Sequence, residues 1–461
     1  MEPRSGTRLE RDSMGEVEVP GDAYYGASTR RAMLNFPISD LRMPRSFIRA
    51  LGLTKLAAAK VNVELDLLDR RIGDAIGKAA AEVANGDLDD QFTVDVFQTG
   101  SATSTNMNAN EVIANRAAEL VGGERGTRLI HPNDDVNLGQ SSNDVIPTVM
   151  HIAGLLVIEE HLRPALERLH VALDEKGRAF WEIIKTGRTH LQDATPIRLG
   201  QEFRGYAGQV ERGLRRLAHA HEELSQVALG GTAVGTGINA HPEFARRVVA
   251  LLREMTGLNI VETDNHFQAQ STIDAIIETS GVLRTIAISL MKIADDIRWM
   301  ASGPRAGLGE LLLPEVQPGS SIMPGKVNPV IPESLIQVAA QVIGNDGAIA
   351  IAAQGSHFEL NSMMPVAAYN LLQSLSLLAA ATDNFTRQCV DGLRATARGP
   401  ALVEQGLGIA TALATVVGYD AAAEIAKKAA RTDRTVREVA SERLTLSQEE
   451  LKRILDPESM V

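Results

Sequence analysis

Apolar residues recur at alternating steps of three and four along much of this chain. Phe203, Tyr206, Val210, Leu214, Leu217, His221 and Leu224 form one series. Ile276, Leu283, Ile286, Leu290, Ile293, Ile297 and Met300 form another, with Thr279 as its one polar position. That spacing marks a helix with one face against other helices, as in a bundle or coiled coil. Further apolar-rich helices are predicted over residues 145–184, 332–354 and 365–390. Pro164 falls inside the first and is expected to kink it. Pro332 and Pro365 stand where helices begin, which proline tolerates. Five helices of about 22–40 residues are longer than a single globular domain normally holds, and read as one elongated bundle. Their faces carry more apolar surface than five helices alone can bury, so bundle-to-bundle packing in a homo-oligomer is expected.

Two regions flank this central bundle domain, residues 138–393. Residues 1–137 read as an N-terminal domain mixing short helices with turns, such as Val19-Pro20-Gly21-Asp22 and Gly122-Gly123. Residues 394–461 read as a small C-terminal domain of short charged helices. Lys427, Lys428, Arg431, Arg434 and Arg437 form a stripe there. Interspersed acidic residues make it a solvated helix face. The expected class is all-α, in keeping with an aromatic content of 4% and many Ala and Leu residues.

Charge and cysteine usage narrow the function. Lys and Arg number 46 and Asp and Glu 58, a net charge of −12 over 461 residues. A nucleic-acid binder normally carries a basic footprint, so no nucleic-acid partner is expected. The one cysteine, Cys389, can make neither an internal disulfide nor a thiolate metal site. A reducing, cytoplasmic setting is therefore expected. The opening Met1-Glu2-Pro3-Arg4-Ser5-Gly6 lacks the apolar core of a signal peptide. No uninterrupted apolar run of about 18 residues occurs, so no membrane span is expected.

Four segments break the helical pattern with clusters of Gly, Ser, Thr, Asn and Pro. They are Gln98–Asn108, His131–Asn137 with Gln140–Asp144, Gly187–Asp193, and Gly319–Pro329 leading into Glu333. Their small neutral hydrogen-bonding side chains suit a multiply charged small ligand rich in acceptor oxygens. A plain polar loop explains any one of them. Four exceed what short helix connections require. The fourth is an irregular loop with two serines and a lysine, opening into a helix whose N-terminus favours an anion. It is not a phosphate loop: five residues separate Gly319 from Gly325-Lys326, and Val327 stands where Ser or Thr should. Gly230–Gly237 fails likewise, since Ile238 follows. His190, after Arg188 and Thr189 at the edge of a helical stretch, is the histidine that stands out. On local grounds an ordinary capping or core histidine explains it equally well. His219 and His221 lie two apart on a helix and cannot share a metal. The single Glu167-x-x-His170 falls short of a di-iron bundle.

The sequence Gly319-Ser320-Ser321-Ile322-Met323-Pro324-Gly325-Lys326-Val327-Asn328-Pro329 resembles the signature of the fumarase/aspartase superfamily. The resemblance covers essentially the whole chain. It is greatest to class II fumarate hydratases, whose pattern is followed by Thr99-Gly100-Ser101, Gln140–Asp144, Arg188–Ala194 and Gly230–Gly237. Ala102 stands where those enzymes usually have glycine. Ser104–Asn110, Asp22–Gly26 and Val330–Glu333 read more like aspartate ammonia-lyases.

The resemblance implies reversible hydration of fumarate to (S)-malate. It implies Ser320 as the base that takes a proton from carbon 3 of malate. His190 would handle the water on the other face, with Glu333 as its orienting partner. Lys326 and Asn328 would bind the doubly charged carboxylate of the intermediate. Ser101, Thr103, Ser141, Ser142, Asn143, Thr189 and Ser321 match substrate-holding positions. His131, Asn133 and Asp134 match a second anion site, although a turn capping the next helix explains them equally well. No cofactor and no metal are implied. The implied fold has three domains, its bundles joining four subunits into a twenty-helix core with each site built from three chains. The implied setting is the tricarboxylic acid cycle. Aspartate ammonia-lyase, another superfamily lyase, or a catalytically silent relative are the alternatives.

Overall fold

Long helices dominate the computed structural model, which describes residues 6–461. Residues 1–5, most of the segment read above as unlike a signal peptide, lie outside the described residues. Five helices match the expected bundle: Ser142–Ala179, Leu199–Leu224, Asp274–Met300, Val330–Ala352 and Met364–Phe385. Among the described residues there are seventeen α-helices and ten short strands, the strands paired only two by two. The architecture is all-α, as expected. Both apolar series face inward. Phe203, Leu217, Leu224, Leu283, Ile293 and Ile297 are each 0% exposed. Thr279, polar within its series, returns its hydroxyl to the carbonyl of Ala275 at 2.7 Å, which satisfies it without a cross-helix partner. At Pro164 the first helix responds with a π turn, Ile158–Leu162, just ahead of the ring. The wider turn accommodates a residue that cannot donate to the preceding turn.

The N-terminal region differs from expectation. Its helices are not short: Arg45–Glu64 has 20 residues, Arg70–Asn85 has 16 and Thr103–Leu120 has 18. Their buried faces are rich in alanine (Ala50, Ala57, Ala58, Ala79, Ala80, Ala117) among fewer large residues such as Leu51, Ile76 and Ile113, so the apolar steps stand out less in sequence. A hairpin, Thr7–Asp12 with Gly15–Pro20, precedes them. The buried Glu111 accepts the backbone N–H groups of Gly26, Ser28 and Thr29 and anchors the start of helix Ala27–Asn35. The C-terminal region is short helices around Ile409, Leu413, Ile425, Val436, Val439 and Leu451. Its basic stripe is largely paired: Lys428 and Arg434 meet Glu442, and Arg437 meets Glu404.

The chain divides into two compact units. One holds Met1–Pro164, Arg215–Thr285 and Ala340–Ala379; the other holds Ala165–Leu214, Ile286–Ala339 and Ala380–Val461. Every division point falls inside one of the five long helices.

Helix hydropathy reads differently from the count of uninterrupted apolar runs. Three helices, Ser142–Ala179, Val330–Gly355 and Met364–Val390, are long and apolar enough to cross a membrane. Interrupted runs reach this hydropathy because the most apolar window of each carries at most two charged residues. Of the most apolar window in Val330–Gly355, only 33% is buried.

Phe203 meets Phe180 edge-on at 5.2 Å and Tyr206 at 5.5 Å. Phe203→Ala should cost about 3–5 kcal/mol through lost burial and an unfilled cavity. The expected result is a lower urea midpoint at unchanged slope and fixed protein concentration.

Candidate active site

In the first unit, four of the predicted ligand residues form one hydrogen-bonded chain. Ser101 Oγ lies 2.7 Å from Thr103 Oγ1, which lies 2.7 Å from Ser142 Oγ. Ser142 Oγ reaches Asn143 Oδ1 at 3.4 Å, and Asn143 Nδ2 donates to the carbonyl of Ala233 at 2.9 Å. Ser141 caps helix Ser142–Val157, accepting from the N–H of Asn143, and forms a capping box with Asp144. Two backbone features set the first loop. A Cβ on Gly100 would lie 1.8 Å from the carbonyl oxygen of Ser362, so no side chain fits there. Ala102, fully buried, holds φ +53° at the cap of helix Thr103–Leu120. This is where the fumarase pattern has glycine, and alanine bears a strain of about 1–2 kcal/mol.

Two buried groups missed in the sequence organise these loops. Asp144, 0% exposed, accepts from the N–H groups of Ser141 at 2.9 Å, Gly230 at 3.0 Å and Thr232 at 2.9 Å. Burial pushes its carboxyl above the usual carboxylate range, opposed by those three donors and by the charge of Lys55. It thereby holds the glycine-rich Gly230–Gly237 loop, and the amides of Gly230 and Thr232 are committed to it rather than open to a phosphate. Lys55, also 0% exposed, donates to Asn137 Oδ1 at 2.9 Å and Gln140 Oε1 at 3.0 Å. Burial pushes its ammonium down to about 7, with Asp144 pulling the other way. Asp144 was legible as the fourth residue of a capping box. Lys55 was legible as a lone cation on an otherwise Ala/Leu face. The Ser104–Asn110 stretch turns inward: Asn106 and Asn110 donate to Asn137, and Asn108 donates to the carbonyl of Gln91. These asparagines brace the fold.

In the second unit, His190 is at neither a helix edge nor a core position. It sits exposed at the tip of the hairpin Ile184–Thr189 with Gln192–Arg198. His190 and Leu191 form its two-residue turn with φ of +57° and +58°. Such turns favour Asn and Gly, and bulky residues there carry strain that the surroundings must hold. The hairpin arises because Thr186, Thr189, Thr195 and Ile197 favour strand over helix.

Gly319–Pro329 is an irregular loop, as expected. Gly319 N donates to the carbonyl of Lys326 at 2.8 Å, and Asn328 Nδ2 donates to the carbonyl of Gly319 at 2.7 Å, closing the loop at its base. A Cβ on Gly319 would meet that Lys326 oxygen at 2.4 Å. Ser320 Oγ accepts from the N–H groups of Ile322 at 3.2 Å and Met323 at 3.0 Å. Ser321 and Lys326 are exposed on the same loop. Lys326, Asn328 and Glu333 line a cavity of about 740 Å³ together with Arg298, Trp299 and Asp295. Glu333 lies 3.8 Å from Arg298. Among the described residues of one chain, no hydrogen bond joins Glu333 to His190.

His131 caps the turn Pro132–Val136, its Nδ1 accepting from the N–H groups of Asn133 at 3.3 Å and Asp134 at 3.1 Å. The Asp134 carboxylate lies 3.2 Å from the same nitrogen. His221 pairs with Glu159, and His170 bonds the carbonyl of Ala207, so neither shares a metal-like grouping. Among the described residues, no three His, Cys, Asp or Glu side chains gather as a metal site. Cys389 is buried, and burial pushes its thiol up to about 12.

The comparisons with known proteins place this fold among lyases. A family model described as Lyase matches residues 15–344, and one described as Fumarase C C-terminus matches residues 409–461. A class II fumarate hydratase of Halobacterium salinarum is 56% identical over 98% of this chain and 97% of its own. One from Methylorubrum extorquens is 51% identical over 100% of this chain and 98% of its own. The crystal structure of a class II fumarase from Schistosoma mansoni superposes with a TM-score of 0.95 at 38% identity, covering 99% of each chain. A Brucella melitensis fumarate lyase:delta crystallin bound to cobalt superposes at 0.94 with 48% identity, again covering 99% of each. The chain belongs to the class II fumarate hydratase family.

Lys55 generates a pH prediction. Its folded value, about 7, lies below the unfolded value, so the unfolded chain binds the extra proton between about 7 and 10.5. The native state is therefore penalised below that window, and the penalty fades as pH rises through it. In urea titrations at several pH values, Lys55→Met should remove this upward slope. An identical slope in the variant would show that Lys55 is charged when buried.

Proposed function

We propose that this chain hydrates fumarate reversibly to (S)-malate, with Ser320, His190 and Glu333 as its reacting groups. The observation that carries this reading is the pair of backbone N–H groups aimed at Ser320 Oγ, from Ile322 and Met323. Serine is a poor base because its alkoxide is too unstable in water. Donors already pointing at the oxygen favour the ionised form, and exclusion of water by loop closure would favour it further. Ser320 then takes the proton from carbon 3 of malate. The resulting carbanion delocalises into the adjacent carboxylate, which becomes an aci-carboxylate with two negative charges. Lys326, Asn328 and the N–H of Ile331 at the start of helix Val330–Ala352 supply donors for it. His190 protonates the departing hydroxyl in this direction and takes a proton from water in the reverse. Glu333 orients His190 and raises its basicity. Ser101, Thr103, Ser141, Ser142, Asn143, Thr189 and Ser321 hold the dicarboxylate through neutral hydroxyl and amide groups.

His190 and Glu333 are not joined within one chain, so their pairing requires a second copy. We place the site among three chains of a homotetramer. The largely uncovered apolar face of Val330–Gly355 supports this, because packing against equivalent helices covers it without a membrane. The domain boundaries near 137 and 393, a metal-independent reaction, a cytoplasmic setting and a place in the tricarboxylic acid cycle belong to the same proposal. His131, Asn133 and Asp134 are proposed as a second anion site of unassigned role.

Supplying malate and aspartate separately, and following the ultraviolet absorbance of fumarate, tests the reaction. Fumarate should form from malate. Formation from aspartate alone would make the chain an ammonia-lyase. Ser320→Ala should lower turnover by at least about a hundredfold while four-chain assembly survives, and near-normal turnover would remove Ser320 as the base.

A further inference from the structure

The strained turn at His190 needs something to hold it, and the hairpin's root supplies a buried clamp. Arg188 makes two hydrogen bonds to Glu310, Nη1 to Oε2 at 3.1 Å and Nη2 to Oε1 at 2.9 Å. Lys185 Nζ lies 2.9 Å from Glu310 Oε2 and 2.9 Å from Glu202 Oε2. Glu310 is 1% exposed and Lys185 is 2% exposed, so two cations and two carboxylates neutralise one another largely out of water. The main chain of Glu310 is fixed as well: its N–H donates to Met300 and its carbonyl accepts from Thr396. The strand carrying Arg188 changes register between Thr186 and Arg188, an irregularity of the kind that re-aims side chains. Arg188 thus points into the clamp while Thr189 and His190 remain exposed beyond it.

We infer that Glu310 is a positioning residue for this reaction, its buried carboxylate acting through Arg188 to fix the hairpin that presents His190. The inference rests on His190 being the group that handles water. A planar fork gripping a planar carboxylate sets direction as well as distance, which a single flexible contact does not. Small misplacement of a reacting group lowers turnover more than it lowers ground-state binding.

The test compares Glu310→Gln, Glu310→Asp, Arg188→Lys and His190→Asn in the full-length assembled protein with malate. Glu310→Gln should lower kcat by about tenfold or more while KM rises less than about threefold, in protein whose assembly mass and circular dichroism are unchanged. Glu310→Asp, which keeps the charge, should recover part of that kcat. If Glu310→Gln does not fold, Arg188→Lys carries the test, because it keeps the charge and loses the fork. It should show the same kcat-dominated loss. Folded clamp variants with unchanged kcat, beside an inactive His190→Asn, would overturn the positioning role alone. Full turnover in His190→Asn would instead overturn the reading of His190 on which it rests.

Discussion

A carboxylate taken out of water must be met by donors, and the loops of this chain are arranged around that requirement. Asp144 collects three backbone N–H groups, two of them from a loop some 86 to 88 residues further along the chain. Glu310 collects Arg188 and Lys185 from a hairpin 122 residues away from it at Arg188. Neither cluster adds much net stability, since desolvation offsets most of the attraction. What each provides is direction, because an unsatisfied charge in the interior is so costly that few alternative loop positions survive. The helices supply rigid supports, and these charges decide where the polar segments leave them.

Legibility in the sequence followed the range of the interactions involved. The five long helices were readable because burial of Phe203, Leu217, Leu283 and Ile293 imposes a local period. The N-terminal helices were underestimated because alanine faces carry the same period with little contrast. The loop containing Ser320 was readable from its glycines and prolines, whose backbone constraints are intrinsic. His190 was noticed but misplaced, since a His-Leu turn with two positive φ values contradicts local preference. Glu310 carried no signal, because its partners are set by tertiary contact and not by neighbouring residues.

The overall charge of −12 opposes a dianionic ligand. In the second unit, Lys326 is exposed on a loop beside a helix start. The first unit carries hydroxyls and amides linked in a chain from Ser101 to Asn143.

The burial of Cys389 takes on another meaning beside that substrate. Fumarate is an electron-poor alkene, and thiolates add across such double bonds to give stable thioethers. The reacting species is the thiolate, which burial at Cys389 suppresses by raising the thiol to about 12. As the chain's one cysteine, it leaves no exposed thiol on the folded surface. A catalyst steadily bathed in its own electrophilic ligand thus carries built-in resistance to being alkylated by it.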